Sequence, residues 1–143
     1  MDFLVIGGDA AGMSAASRAK RHRPDFNVTV LERTADVSYS ACGIPYNIAD
    51  PDRSIEDLVV RQAEIFRDKQ GIELLTGIEA TAIDMADQRV STRDMDGRER
   101  TFPYDKLLIA TGATPIKPNI PGIDLPGVMV LKSLAHGRAI KDF

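Results

Sequence analysis

Cys42 is the only thiol of the chain and stands in Ser38-Tyr39-Ser40-Ala41-Cys42-Gly43-Ile44-Pro45-Tyr46. A lone thiol cannot close an internal dithiol cycle, so redox chemistry at Cys42 must take a second sulfur, or an oxygen atom, from outside. Free cysteines often serve as small buried hydrophobes, whereas Gly43 and Pro45 shape a turn that could present a reactive thiol, and the residues alone leave both readings open. Upstream, Gly7-Gly8-Asp9-Ala10-Ala11-Gly12 follows a short apolar run, and Glu32 lies twenty residues beyond Gly12. That spacing suits a dinucleotide. Gly7 permits a tight turn, a helix N-terminus offers N–H groups to a pyrophosphate, Gly12 lets helix and strand approach, and Glu32 accepts from ribose hydroxyls. Asp9 occupies the usual middle glycine position and brings a negative charge near the phosphates. A carboxylate at Glu32 favours ribose diols, hence FAD or NAD over a 2′-phosphorylated cofactor.

A third constellation is cationic. At about 100° per residue, Ser14, Arg18 and Arg21 fall within about 60° of one another on a helix, away from its alanine-rich face. Such a stripe is either a solvated face or a site for an anionic ligand, and the residues alone leave both open.

The elements that must position these groups are legible in outline. Phe3-Leu4-Val5-Ile6, bounded by Gly7-Gly8, suits a buried parallel strand. Ala10 to about Arg21 lacks β-branched residues and ends before Pro24, as a helix does. Asn27 to Glu32 reads as a second strand and Ile72 to Leu75 as a third. Between them, residues 56 to 69 are expected to form one amphipathic helix, from Leu58, Val59, Ala63, Ile65 and Phe66 set among charges. Ile78 to Asp84, Gln88 to Arg93 and Thr101-Phe102 suggest a small antiparallel meander turned at Asp96-Gly97. Leu107 to Ala110 is a further buried strand, and Pro115, Pro118, Pro121 and Pro126 mark an extended connector. Residues 132 to 143 read as a helix cut short, so a fragment is expected, although Met1 followed at once by a strand looks like a natural start.

With 143 residues, 43% of them hydrophobic and 27% charged, the chain can bury a real core, and one domain is the starting estimate. A net charge of −3 gives no reason to expect nucleic-acid binding. No apolar run approaches the ~18 to 20 residues that span a bilayer, and the first residues lack the pattern of a secretory signal. The expectation is a cytoplasmic protein with no membrane partner. One cysteine and two separated histidines, His22 and His136, offer no metal-ligand cluster. Both histidines are expected at the surface.

Three segments, Val5 to Ala16, Ser38 to Tyr46 and Leu107 to Pro115, together resemble the pyridine nucleotide-disulfide oxidoreductases. The nearest resemblance is to the single-cysteine branch, the coenzyme A-disulfide reductases with their persulfide reductase and NADH oxidase relatives. This implies an α/β fold, a Rossmann-like FAD-binding domain with a parallel sheet and a small antiparallel insertion. Residues 1–143 would be its N-terminal segment in a larger flavoprotein. The resemblance implies FAD contacts at Gly7, Gly8, Asp9, Ala10, Ala11, Gly12, Glu32, Arg33, Ala80, Thr111, Gly112 and Lys132. The site for NADH or NADPH, the second FAD segment and the dimerisation domain would lie outside this chain, so the isolated chain is expected to be inactive and the full-length protein a homodimer.

By the same resemblance Cys42 is the catalytic residue, and Ser14, Arg18, Arg21, Ser38 and Lys69 match positions that hold coenzyme A. Ala41 departs from members with an asparagine there, and Tyr39 and Tyr46 are candidates for shaping the sulfur pocket. Electrons would pass from the nicotinamide nucleotide through FAD to a disulfide between Cys42 and a small-molecule thiol, with a coenzyme A disulfide, persulfide or polysulfide as acceptor. The alternatives are an NADH oxidase or peroxidase cycling Cys42 through sulfenic acid, and a non-catalytic nucleotide-binding fragment. Oxidases and peroxidases of this kind typically carry a histidine in the glycine-rich turn, where this chain has Ala10.

Overall fold

In a computed structural model that describes residues 1–143, the chain forms two compact units. The first comprises Met1–Ser38 and Arg61–Thr111, the second Tyr39–Val60 and Gly112–Phe143.

The first unit is built on a parallel sheet of β1 (Asp2–Ile6), β2 (Asn27–Glu32), β3 (Glu73–Thr76) and β7 (Lys106–Ile109), ordered β3-β2-β1-β7. These strands are short and apolar because both faces are covered. One row of register, Leu74, Val30, Val5 and Leu108, packs with Met13 and Ala16 of α1 (Ala10–His22) and with Phe66. The alternate residues Leu4, Ile6, Leu31 and Leu107 pack instead with Val90, Ile78 and Phe102 of the antiparallel meander. That meander is β4 (Ile78–Asp84), β5 (Arg89–Asp94) and β6 (Glu99–Pro103), with a register shift between Ala80 and Ala82. Strand period of two thus divides each β-strand's side chains between two cores.

The segment that follows the first helix is tied back to its last turn. Lys20 Nζ donates to the carbonyls of Pro24 and Phe26 at 3.1 and 2.9 Å, and Arg23 N–H closes onto Ala19. Arg23 also pairs with Asp25 at 2.9 Å and lies 4.5 Å over the Phe26 ring.

The second unit carries the helical turn Ala41–Gly43, α2 (Ile44–Ile48), the turn Ile55–Leu58 and α3 (Leu134–Lys141) around Ile44, Ile55 and Leu134. Ser133 caps α3 by accepting from His136 N–H. Gly137 permits the close packing of this helix, since a Cβ there would come 2.9 Å from Ile55 Cδ1 and 3.0 Å from Ile44 Cγ2. Residues 112 to 131 contain turns but no regular element, as their prolines lead one to expect.

The single helix expected over 56–69 does not form. Ile55–Leu58 is a short tight turn, Val59 is extended and bridges Tyr39, and Ile65–Lys69 is a separate wide helical turn. The reason is that the apolar residues serve different cores. Leu58 and Val59 pack around Ile55 in one unit, whereas Ala63 and Phe66 pack around Val5 and Leu74 in the other. The third strand begins at Glu73, one residue later than expected, with Ile72 buried just before it. His136 differs from its surface expectation: its ring is half-buried and its Nδ1 is shut from solvent without a hydrogen-bond partner.

Candidate functional site

The glycine-rich turn is shaped by backbone contacts that admit no side chain. Gly7 has φ +112°, and a Cβ on it would collide with the Ala110 carbonyl oxygen. A Cβ on Gly12 would collide with the Gly7 carbonyl oxygen, and one on Gly8 would come 2.8 Å from Glu32 Cβ. Turn, first helix and both flanking strands are therefore locked as one backbone assembly. Asp9 stands before the helix in extended conformation, φ −101° and ψ −158°, and its carbonyl accepts from Met13. Ala10 and Ala11 follow, exposed, at a helix start with no acidic residue in its first turn. The leading N–H groups of a helix have no intrahelical acceptor, so this turn fits an anionic group such as a pyrophosphate.

Glu32 ends β2 with its carboxylate turned to the same place. Oε2 accepts from Gly8 N–H at 2.7 Å, while Oε1 accepts from Thr34 N–H and Oγ1 at 2.8 and 2.7 Å. A carboxylate offers about four acceptor sites, so three bonds leave one for a ligand hydroxyl. Thr34 had no place in the expectations drawn from sequence, because a threonine two residues past a strand carries no motif. Arg33 is exposed beside it, and Ala80 is half-buried at the register shift of β4. Thr111 closes this unit after β7; Gly112, with φ +68°, and Lys132 belong to the second.

Ser14, Arg18 and Arg21 are all exposed on α1, opposite the buried Gly12, Met13 and Ala16. The neighbouring cations are committed. Lys20 caps carbonyls, and hydrogen bonding to Asp25 raises Arg23 further above its ordinary value while holding the Asp25 carboxyl below the usual range. Arg18 and Arg21 carry no ion pair, and neither does the exposed Lys69. Ser38 adopts φ +48°, unusual for a residue with a Cβ. Its N–H donates to the Gly8 carbonyl at 3.1 Å and its carbonyl accepts from Arg61. The turn that holds Glu32 thus also anchors Ser38.

Cys42, a free and exposed thiol, lies in the second unit within the turn Ala41–Gly43, which runs directly into α2 with Pro45 in its first turn. Its Sγ is 3.6 Å from Ser40 Oγ. Tyr39 is half-buried among the core residues around Ile44, whereas Tyr46 is 77% exposed. At the far end of α2, Lys141 Nζ donates to the carbonyls of Asn47, Asp50 and Arg53. Arg138 pairs with both carboxylate oxygens of Glu56. Ser40 and Lys141 escaped the sequence reading: the first stands two residues from Cys42 and was within reach, the second lies too distant in sequence for any local signal.

The conserved-domain model for "Pyridine nucleotide-disulphide oxidoreductase" matches residues 1–142, and the chain belongs to that family. It is 44% identical over 140 residues to the NAD(P)H sulfur oxidoreductase (CoA-dependent) of Pyrococcus furiosus, covering 98% of this chain and 31% of that protein. It is 34% identical over 140 residues to an NADH oxidase of Methanocaldococcus jannaschii, with 98% and 31% covered. The solved NAD-dependent persulfide reductase from A. fulgidus superposes with a TM-score of 0.92 at 37% identity, over 99% of this chain and 27% of that one. The chain therefore spans about a third of the length of these relatives. It is an α/β domain of oxidoreductase type, with a parallel sheet and a small antiparallel one. None of its helices is long and apolar enough to cross a membrane.

Proposed function

We propose that this chain is the N-terminal FAD-binding segment, residues 1–143, of an NAD(P)H-dependent reductase of coenzyme A disulfide, persulfide or polysulfide. The carrying observation is the exposed Cys42 thiol, the only one in the chain, presented in a turn. FAD, when bound, would accept a hydride from NADH or NADPH and supply the electron pair for sulfur reduction. Gly7, Gly8, Asp9, Ala10, Ala11 and Gly12 would hold its pyrophosphate, and Glu32 its ribose through the remaining acceptor site. Arg33, Ala80, Thr111, Gly112 and Lys132 are proposed as further contacts along it.

Cys42 does the sulfur chemistry. Its thiolate attacks one sulfur of a coenzyme A disulfide, forming a Cys42–S–S–coenzyme A bond and expelling the other coenzyme A as thiolate. Two electrons and one proton then cleave that bond, restoring the Cys42 thiolate and releasing the coenzyme A thiol. With a persulfide, the thiolate takes the outer sulfur and the parent thiol leaves. Ser14, Arg18, Arg21, Ser38 and Lys69 are proposed to bind the coenzyme A moiety. The uncommitted guanidinium groups of Arg18 and Arg21 support this, since phosphates call for cations that are not already paired. A cytoplasmic homodimer is the proposed setting of the full-length protein.

A second reading, an NADH oxidase cycling Cys42 through sulfenic acid, is favoured by the Methanocaldococcus jannaschii relative. Intact mass spectrometry of the unreduced protein, with Cys42 mapped, separates the two. A reducible adduct of one coenzyme A supports the reductase, one added oxygen supports the oxidase, and an unmodified thiol that no coenzyme A disulfide can convert overturns the reductase reading.

A further inference from the structure

We infer that Ser40 is the hydrogen-bond donor that holds the Cys42 thiolate, an inference that rests on the reading of Cys42 as the redox thiol. Every polar group of Ser40 has a place. Its N–H donates to the Leu58 carbonyl at 2.8 Å, its carbonyl accepts from Gly43 N–H at 3.0 Å, and its hydroxyl faces Cys42 Sγ at 3.6 Å. That hydroxyl also needs the glycine at 43. A Cβ there would come 3.1 Å from Ser40 Oγ and 2.8 Å from Leu58 Cδ2, crowding the serine hydroxyl so that it must shift. Two backbone bonds thus hold the Ser40 main chain, and the missing side chain at 43 leaves room for its hydroxyl beside the sulfur.

The contact has a direction that depends on charge. With a protonated thiol either atom can donate, but a thiolate has no proton, so only the hydroxyl can. A donor whose acceptor becomes charged gains strength, which favours the ionised sulfur over the neutral one. In a disulfide cycle the thiolate is both the attacking group and the group released on reduction, so Ser40 would act at both ends of the cycle.

Alkylation of Cys42 tests this without flavin, nucleotide or coenzyme A, so the outcome speaks to Ser40 alone and leaves the acceptor question to the adduct measurement above. Because the chain has one cysteine, iodoacetamide labelling of the whole chain, read on the peptide that holds Cys42, reports a single thiol. A charge-assisted hydrogen bond is worth about tenfold in thiolate population. Nucleophilicity falls by about half of that effect on a logarithmic scale, leaving about threefold in rate. Ser40→Ala is therefore expected to react about threefold more slowly near neutral pH and about threefold faster at strongly alkaline pH, where all thiols are ionised. The two rate profiles cross. Ser40→Thr, which keeps the hydroxyl, is expected to follow the parent protein. Superimposed profiles for Ser40→Ala, or uniform slowing at every pH without a crossing, would overturn the inference.

Discussion

Replacing Lys141 by Met keeps most of the side chain's length and apolar stem but removes the ammonium that closes the far end of α2. In the structure that ammonium reaches the carbonyls of Asn47 at 3.2 Å and Asp50 at 3.0 Å, that of Arg53 closer still, and Asn47 Oδ1 at 3.4 Å. An ammonium has three protons, so the longest contact is a shared one and three bonds count. Each is charge-assisted but partly solvated, so about 1 kcal/mol apiece is the appropriate scale and about 3 kcal/mol the total. Asn47 sharpens the effect because it is 1% exposed and its amide already donates to the Ser54 carbonyl, leaving water little access to replace the lost donor. Backbone amide exchange is the assay. Lys141→Met should accelerate exchange across residues 44–58 by roughly two orders of magnitude, as about 3 kcal/mol implies, while β1 and β2 of the other unit keep their protection. Unchanged exchange in α2 and the Ile55–Leu58 turn would refute the reasoning, as would equal acceleration in both units.

Two further substitutions probe the first unit. Gly12→Ala drives a methyl into the Gly7 carbonyl, a backbone contact that cannot rotate away, and is expected to lower unfolding free energy in urea by about 3 kcal/mol, the upper range of overpacking; a loss under ~1 kcal/mol would contradict the close approach of turn and helix. Phe66→Ala empties a site 2% exposed between the wide helical turn and the sheet, and should cost about 3–5 kcal/mol in the same measurement.

Legibility from sequence followed the range of the interactions. The strands of the parallel sheet and the first helix came through because each is one short run with one pattern, and their boundaries moved by a residue or so. The meander was marked by Asp96-Gly97, where Gly97 takes φ +82° and closes the turn onto Asp94. The segment 56–69 failed because periodicity cannot tell one helix facing one core from two turns facing two. Cys42, the glycine turn and Glu32 were visible as types at spacings, but the bonds that fill three of Glu32's acceptor sites were not. Nor was the commitment of Lys20 and Arg23, which singles out Arg18 and Arg21 among the cations of that helix. Such distinctions depend on which groups have already found partners, and even a partner two to six residues away, as for Lys20, Arg23 and Glu32 with Thr34, is chosen by how the chain turns after the helix or strand rather than by residue type.

The points where the chain passes between its two units argue that the candidate residues have a structural task as well. The passages fall after Ser38, after Val60 and after Thr111. Ser38 takes φ +48° and Gly112 φ +68°, so two of the three use left-handed backbone. For Ser38 that conformation costs about 1 kcal/mol, and it persists because Gly8 and Arg61 bond both of its backbone groups. Ser38→Gly relieves this strain but frees the unfolded chain by about 0.5–1 kcal/mol, so the two effects offset and stability in urea should stay within about 0.5 kcal/mol of the parent. Ser38→Val puts a β-branched residue where it fits worst and should lose about 2 kcal/mol or more. If valine proved as stable as glycine, the left-handed turn would be wrong. If glycine proved neutral while coenzyme A adduct formation at Cys42 slowed, the serine hydroxyl would have a binding task separable from the fold.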